Sequence, residues 1–187
     1  MLVLVNRDHP YRDTDTDMDR EKDTDTSTAE TLTPIGKDGV LLAESCATAL
    51  KNLMDDLGAW GQIVIVSGWR SQQEQKQIYN DSLANNGADF TAKYVALPGH
   101  SEHQTGLAVD LALNLADIDA LRPHFPYTGI CGAFRERAPL YGFIERYPLG
   151  KEAITGIAHE PWHFRYVGTP HAEEITRRGV TLEEYLK

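Results

Sequence analysis

Ser101-Glu102-His103-Gln104-Thr105-Gly106-Leu107-Ala108-Val109-Asp110 reads as a turn running into a strand, and with Glu160-Pro161-Trp162-His163 it makes a metal site. From Leu107 to Leu113 the residues alternate: Leu107, Val109, Leu111 and Leu113 share one strand face, and Ala108, Asp110 and Ala112 share the other. A carboxylate flanked by two alanines leaves room for an ion. Gly106, free of a Cβ, supplies the sharp turn that brings His103 back over the start of the strand. Histidine and aspartate suit Zn²⁺, and a catalytic zinc is held by three protein ligands with a fourth position open to water. His103, Asp110 and His163 are the expected ligands, for one zinc per chain.

Working outward, His159-Glu160-Pro161-Trp162-His163 also satisfies the His-Glu-x-x-His pattern of helical zinc peptidases. That pattern needs a helix, where residues four apart face one ion. Pro161 inside such a turn removes a donor and clashes with the preceding turn, at a cost of about 3 kcal/mol. Trp162-His163-Phe164-Arg165-Tyr166-Val167 is strand-like instead. His159 is therefore rejected as a ligand and Glu160 kept as the carboxylate beside the metal. Zinc lowers the pKa of bound water to about 7, and a neighbouring carboxylate can take that proton and pass it to a leaving amine. Trp162 walls the site, since indole offers one weak N–H donor. Upstream, Ile63-Val64-Ile65-Val66 is a short β-branched run read as a buried strand, and Ser71 with Glu74 forms a capping box that opens a helix to about Asn86. Arg70 lies between them, at a helix N-terminus where a cation gains nothing from the dipole. Its planar donor fork suits an oxyanion or a substrate carboxylate at the zinc site.

These motifs resemble those of the zinc D-alanyl-D-alanine carboxypeptidases of the VanY type, and especially the bifunctional VanXY dipeptidase/carboxypeptidases of vancomycin resistance. The likeness extends to Leu4-Val5-Asn6-Arg7-Asp8-His9-Pro10, Ser67-Gly68-Trp69-Arg70-Ser71, Ala96-Leu97-Pro98-Gly99, Tyr141 to Pro148 and Glu160 to Gly168. It implies removal of the C-terminal D-Ala from peptidoglycan precursor pentapeptides, UDP-linked ones included, and hydrolysis of free D-Ala-D-Ala. It also implies that Arg70 belongs to the active site and that Gln75 and Ser101 contact substrate. The ligand set does not encode the chirality of the bond, so an L,D-carboxypeptidase or murein endopeptidase is the alternative. A non-catalytic zinc-folded binding domain, as in hedgehog signalling proteins, fits less well, because a structural zinc has no use for Glu160 and Arg70.

The 187 residues, 41% apolar, suit one domain with a real core. The opening Met1-Leu2-Val3-Leu4-Val5 run is too short for a signal peptide, and no stretch is long enough to span a membrane, so a cytoplasmic enzyme is expected. Residues 13–30 hold −6 of the net −10 charge and read as a mobile acidic loop; counted from Asp13, Met18 and Thr24 occupy the calcium-loop glycine and glutamate positions, which excludes that motif. No basic stripe exists to bind nucleic acid. Cys46 and Cys131 read as reduced core thiols. Further elements expected are a helix from about Asp38 to Leu57 ended by Gly58, a loop over 88–100, a loop and short helix over 115–126, a helix from Ala133 to Tyr141, strands at Gly142–Tyr147 and Trp162–Val167, and a helical tail from Ala172. Helices and strands mix without a βαβ repeat. The expected class is α+β, with a small, largely antiparallel sheet carrying the zinc site and several helices packed on it.

Overall fold

The computed structural model describes residues 2–11 and 30–187, so most of the expected acidic loop lies outside the described residues. The organising element is a four-stranded antiparallel sheet of β3 (Ile63–Ser67), β4 (Ala108–Leu113), β5 (Phe143–Tyr147) and β6 (Glu160–Tyr166), in the order β3-β4-β6-β5. Its strands are those expected, and the alternation in β4 has its predicted consequence. Leu107, Val109 and Leu111 enter the main apolar core, while Asp110 opens onto a cavity on the other face. β3 is an edge strand and only partly buried beyond Ile63, which corrects the expectation of a buried strand.

A hairpin of β1 (Leu32–Ile35) and β2 (Val40–Ala43) precedes α1 (Glu44–Asp56). The helix thus begins six residues later than its apolar spacing suggests. Leu42 fits helical spacing with Cys46, but Val40-Leu41-Leu42-Ala43 pairs with β1, and a four-residue apolar run is too short to show its period. Cys46, Leu50, Leu53 and Met54 bring the inner face of α1 fully into the core. Both cysteines are buried and free, as expected.

The capping box at Ser71 is formed, with Ser71 Oγ accepting from Glu74 N and Glu74 accepting from Ser71 N at 2.8 Å, and it opens α2 (Gln72–Asn86). Residues 88–94, expected as loop, form α3 (Ala88–Tyr94); they lack an obvious apolar stripe, but Ser82 and Thr91 hydrogen-bond at 2.8 Å and dock the two helices. Residues 114–128 contain no helix. α4 (Gly129–Arg137) starts earlier than expected and passes into a 3₁₀ turn, Ala138–Tyr141. A short α5 (Glu152–Thr155) precedes β6, and α6 (Thr169–Arg178) and α7 (Leu182–Tyr185) follow it. No helix among the described residues is long and apolar enough to cross a membrane.

Gly106 holds the turn into β4 with φ of +72°, and a Cβ there would lie 2.9 Å from Ala43 N, against the end of β2. A side chain is therefore opposed twice, by backbone conformation and by the hairpin. Gly106→Ala should cost about 1–3 kcal/mol or more, read as a fall in Tm of roughly 2–4 °C for each kcal/mol. An unchanged Tm would show that the turn can relax without strain.

Candidate metal centre and active site

The register of β4 and β6 makes Asp110 and His163 direct cross-strand partners, and β3 places Ser67 opposite Asp110 on the other side. Facing residues on one side of an antiparallel pair have Cβ atoms about 4.5–5.5 Å apart. Two of the three expected ligands are thus set by strand pairing alone. The third, His103, arrives on the 3₁₀ turn Glu102–Thr105, which Gly106 returns to the head of β4. All three side chains are buried, and their ligand atoms lie within 4.8 Å of one another.

Hydrogen bonding decides which atoms of the triad are free to hold an ion. His103 Nδ1 lies 2.6 Å from the Gly68 carbonyl, which can only accept, so Nδ1 carries the proton and Nε2 presents a lone pair 3.1 Å from Asp110 Oδ2. Burial, joined by the charge of Arg70, depresses the His103 pKa to about 4 and keeps the ring neutral. His163 turns Nδ1 to Asp110 Oδ1 at 2.8 Å and Nε2 to Glu102 Oε2 at 3.4 Å. Burial opposes a charge on this ring, but the two carboxylates outweigh it and raise its pKa to about 9. Asp110 is buried too, yet the adjacent histidines hold its carboxyl well below the usual range. A lone pair and a carboxylate oxygen facing each other repel unless a cation lies between them. The donor set therefore fits a divalent ion, and two nitrogens with one oxygen are ligands that zinc accepts.

Around this triad the same cavity is lined by Arg70, Gln75, Ser101, Glu160 and Trp162, every other residue singled out in the sequence for the site. Glu160 opens β6, beside Tyr147 of β5. Its carboxylate makes no hydrogen bond or ion pair among the described residues, and burial raises its pKa to about 8. Arg70 reaches Asp110 Oδ2 at 3.5 Å and donates to Gln75 Oε1 at 3.1 Å, while its buried Nε has no partner. Gln75 spends its amide on the Ala96 carbonyl at 2.8 Å, so both its polar ends are engaged in holding Arg70 and the 95–100 loop. Tyr94, Val95, Ile157 and Leu121 give the cavity an apolar side.

His159 lies outside the triad. Its Nε2 is 2.7 Å from Tyr127 Oη, which donates to Glu145 Oε1 at 2.6 Å. Arg135 stacks over the Tyr127 ring, pairs with Glu145 and donates to the Pro161 carbonyl at 2.7 Å. The strand-borne Pro161 and the rejection of His159 thus agree with the geometry. Sequence reasoning missed Glu102, adjacent to a ligand, and the arginines that hold it. Its one available signal was a charged residue recurring in otherwise apolar strands, at Arg146 and Arg165.

Residues 39–169 match the family model VanY, D-alanyl-D-alanine carboxypeptidase. The chain belongs to this family. It is 40% identical over 185 residues to the bifunctional D-Ala-D-Ala dipeptidase and D-Ala-D-Ala carboxypeptidase VanXYC of Enterococcus gallinarum, spanning 98% of this chain and 92% of that one. Among solved structures it is similar to the vancomycin resistance D,D-dipeptidase VanXYg in complex with a D-Ala-D-Ala phosphinate analog, with a TM-score of 0.89 and 50% identity over 99% of this chain and 69% of that one. A VanY D,D-pentapeptidase from a VanB-type resistance cassette, in complex with Zn(II), superposes with a TM-score of 0.76 at 30% identity, covering 100% of this chain and 98% of that one.

The His163 proton gives the centre a pH signature. Without metal the ring is protonated up to about pH 9, and an ion on Nδ1 must displace that proton. Zn²⁺ affinity should therefore rise about tenfold per pH unit between pH 6 and 8. His103, neutral above about pH 4, adds no slope in this range. The measurement is a chelator competition titration in Glu160→Gln, which removes the other group titrating there; a flat profile would show that the His163 ring is already neutral in the metal-free protein.

Proposed function

We propose that this chain is a zinc-dependent D,D-carboxypeptidase and dipeptidase that removes the terminal D-Ala from peptidoglycan precursor pentapeptides and splits D-Ala-D-Ala. One observation carries the reading: an unpaired carboxylate, Glu160, and a partly unpaired guanidinium, Arg70, flank a two-histidine, one-aspartate triad in one cavity. His103, Asp110 and His163 would hold the ion. Zinc bound there would polarise the scissile carbonyl and acidify water.

The remaining steps belong to the protein's own groups. Glu160 stands where it can take the proton of the attacking water and return it to the leaving amine. Among the described residues no cation forms an ion pair with it, so it is available to shuttle. A dication held by its neighbours would lower its pKa again and favour the base form. Arg70 lines the cavity and keeps a buried Nε without a partner, so its guanidinium is free to meet charge that builds on the carbonyl oxygen or the substrate's carboxylate. Ser101 is buried on the cavity wall and offers a hydroxyl to the same carboxylate. Trp162 lines the cavity and packs into the core, so it shapes the site without titrating. The apolar side of the cavity matches the methyl groups of alanine.

The substrates assigned are the free dipeptide and the UDP-linked pentapeptide, both with a terminal D-Ala carboxylate. Loss of that residue removes the target of vancomycin, which accords with the resistance role of the relatives named above. A cytoplasmic site of action suits these soluble precursors.

Glu160→Gln should retain zinc and lose on the order of 10²–10⁴ in kcat. Arg70→Ala should lose ~10²–10³. Release of D-Ala from dipeptide, pentapeptide and a C-terminally amidated pentapeptide is the assay. The amide should be strongly rejected, because it leaves the carboxylate's donors imperfectly paired. Turnover of a tetrapeptide alone would instead identify an L,D-carboxypeptidase.

A further inference from the structure

Behind His163 lies a charge cluster that the catalytic steps do not use. Glu102 is buried, and its Oε1 accepts from Arg146 Nε and Arg165 Nη1, both at 2.8 Å, while Oε2 faces His163 Nε2 at 3.4 Å. Arg146 also grips Glu183 of α7 with two bonds, at 2.9 and 2.6 Å, and Asn6 donates to Glu183 at 3.1 Å. Arg165 donates to the Val3 carbonyl at 2.8 Å. Both arginines are wholly buried, and the two carboxylates balance them.

We infer that Glu102 is a positioning residue that fixes the ring and tautomer of His163, and that the terminal segments complete the metal centre by locking Glu102 through the two arginines. A metal-bound histidine usually gives its other N–H to a carboxylate or carbonyl, which sets the tautomer and raises ligand basicity. With Nδ1 on the ion, Nε2–H is the donor and Glu102 the acceptor within reach. His103 has the same arrangement with the Gly68 carbonyl. The His163 contact is at the long end of hydrogen-bond range, so its orientation depends on how firmly Glu102 is held. That hold comes from Val3, Asn6 and Glu183, which all lie outside the 39–169 family match. Tyr147 adds a second constraint, its ring 4.9 Å from His163 and 4.9 Å from the Arg146 guanidinium.

The proposal rests on His163 being a ligand, and the test separates the two. Zn²⁺ affinity is measured by chelator competition, and the Co²⁺-substituted visible spectrum recorded, for the parent protein, Glu102→Gln, Asn6→Ala, Glu183→Gln, His163→Ala and the remote core variant Leu53→Ala. Glu102→Gln should weaken zinc by about 10–100-fold and shift the cobalt bands. Asn6→Ala and Glu183→Gln, which touch no ligand, should weaken it by a smaller factor in the same direction. They also carry the test if Glu102→Gln does not fold. Leu53→Ala should lower Tm as much while leaving affinity and spectrum unchanged. Parent-like affinity and spectrum in Asn6→Ala, Glu183→Gln and any folded Glu102→Gln would overturn the proposal. So would a Leu53→Ala affinity loss that tracks its Tm. Parent-like binding by His163→Ala would overturn the ligand assignment itself, and the proposal with it.

Discussion

The pairing of β4 with β6 is the constraint on which the molecule depends. It places Asp110 across from His163, and a slip of β4 by one residue would turn Asp110 to the opposite face of the sheet, away from His163. The apolar alternation of β4 blocks that slip, because it would drive Leu107, Val109 and Leu111 out of the core. Core packing and metal chemistry are thus decided by one register. The second strand of the pair is protected differently. Arg135 holds the Pro161 carbonyl, so a strand that begins with Glu160 and a proline is anchored at the position where the ladder is weakest.

Charge is used unevenly inside this fold. Glu102, Arg146 and Arg165 are as buried as any leucine, and pairing makes this tolerable, since each guanidinium meets a carboxylate. Glu160 is buried without such a partner, and Arg70 keeps one N–H unsatisfied. The contrast separates a satisfied cluster from groups left open to the cavity. A fully satisfied cluster rigidifies what it touches, whereas an unsatisfied buried group stores the capacity to bind or to shuttle a proton.

Much of this was legible in the residues. The period of β4 identified the face of Asp110, the proline in Glu160–Tyr166 excluded the helical zinc motif, and the capping box fixed the start of α2. The β1–β2 hairpin was not legible, because its four-residue apolar strands show no period and Leu42 also fits a helix. α3 was hidden because its docking relies on one Ser82–Thr91 hydrogen bond rather than an apolar stripe. Gln75 lines the cavity, and its hydrogen bonds to Arg70 and Ala96 are a relation between distant residues that no local pattern encodes. Glu102 escaped for the same reason, since its partners come from strands and a helix far along the chain.

The partners in that last network are widely separated in sequence, and Asn6 and Glu183 are 177 positions apart. Bringing such distant residues together carries the loop-closure cost of long-range contacts. A ribosome makes Glu183 after every other member of the network. The sheet can pair, and its core can close, while the ring of His163 still lacks its final brace. A chain stalled short of α7 would lack Glu183, and with it the two bonds that hold Arg146 from the side away from Glu102.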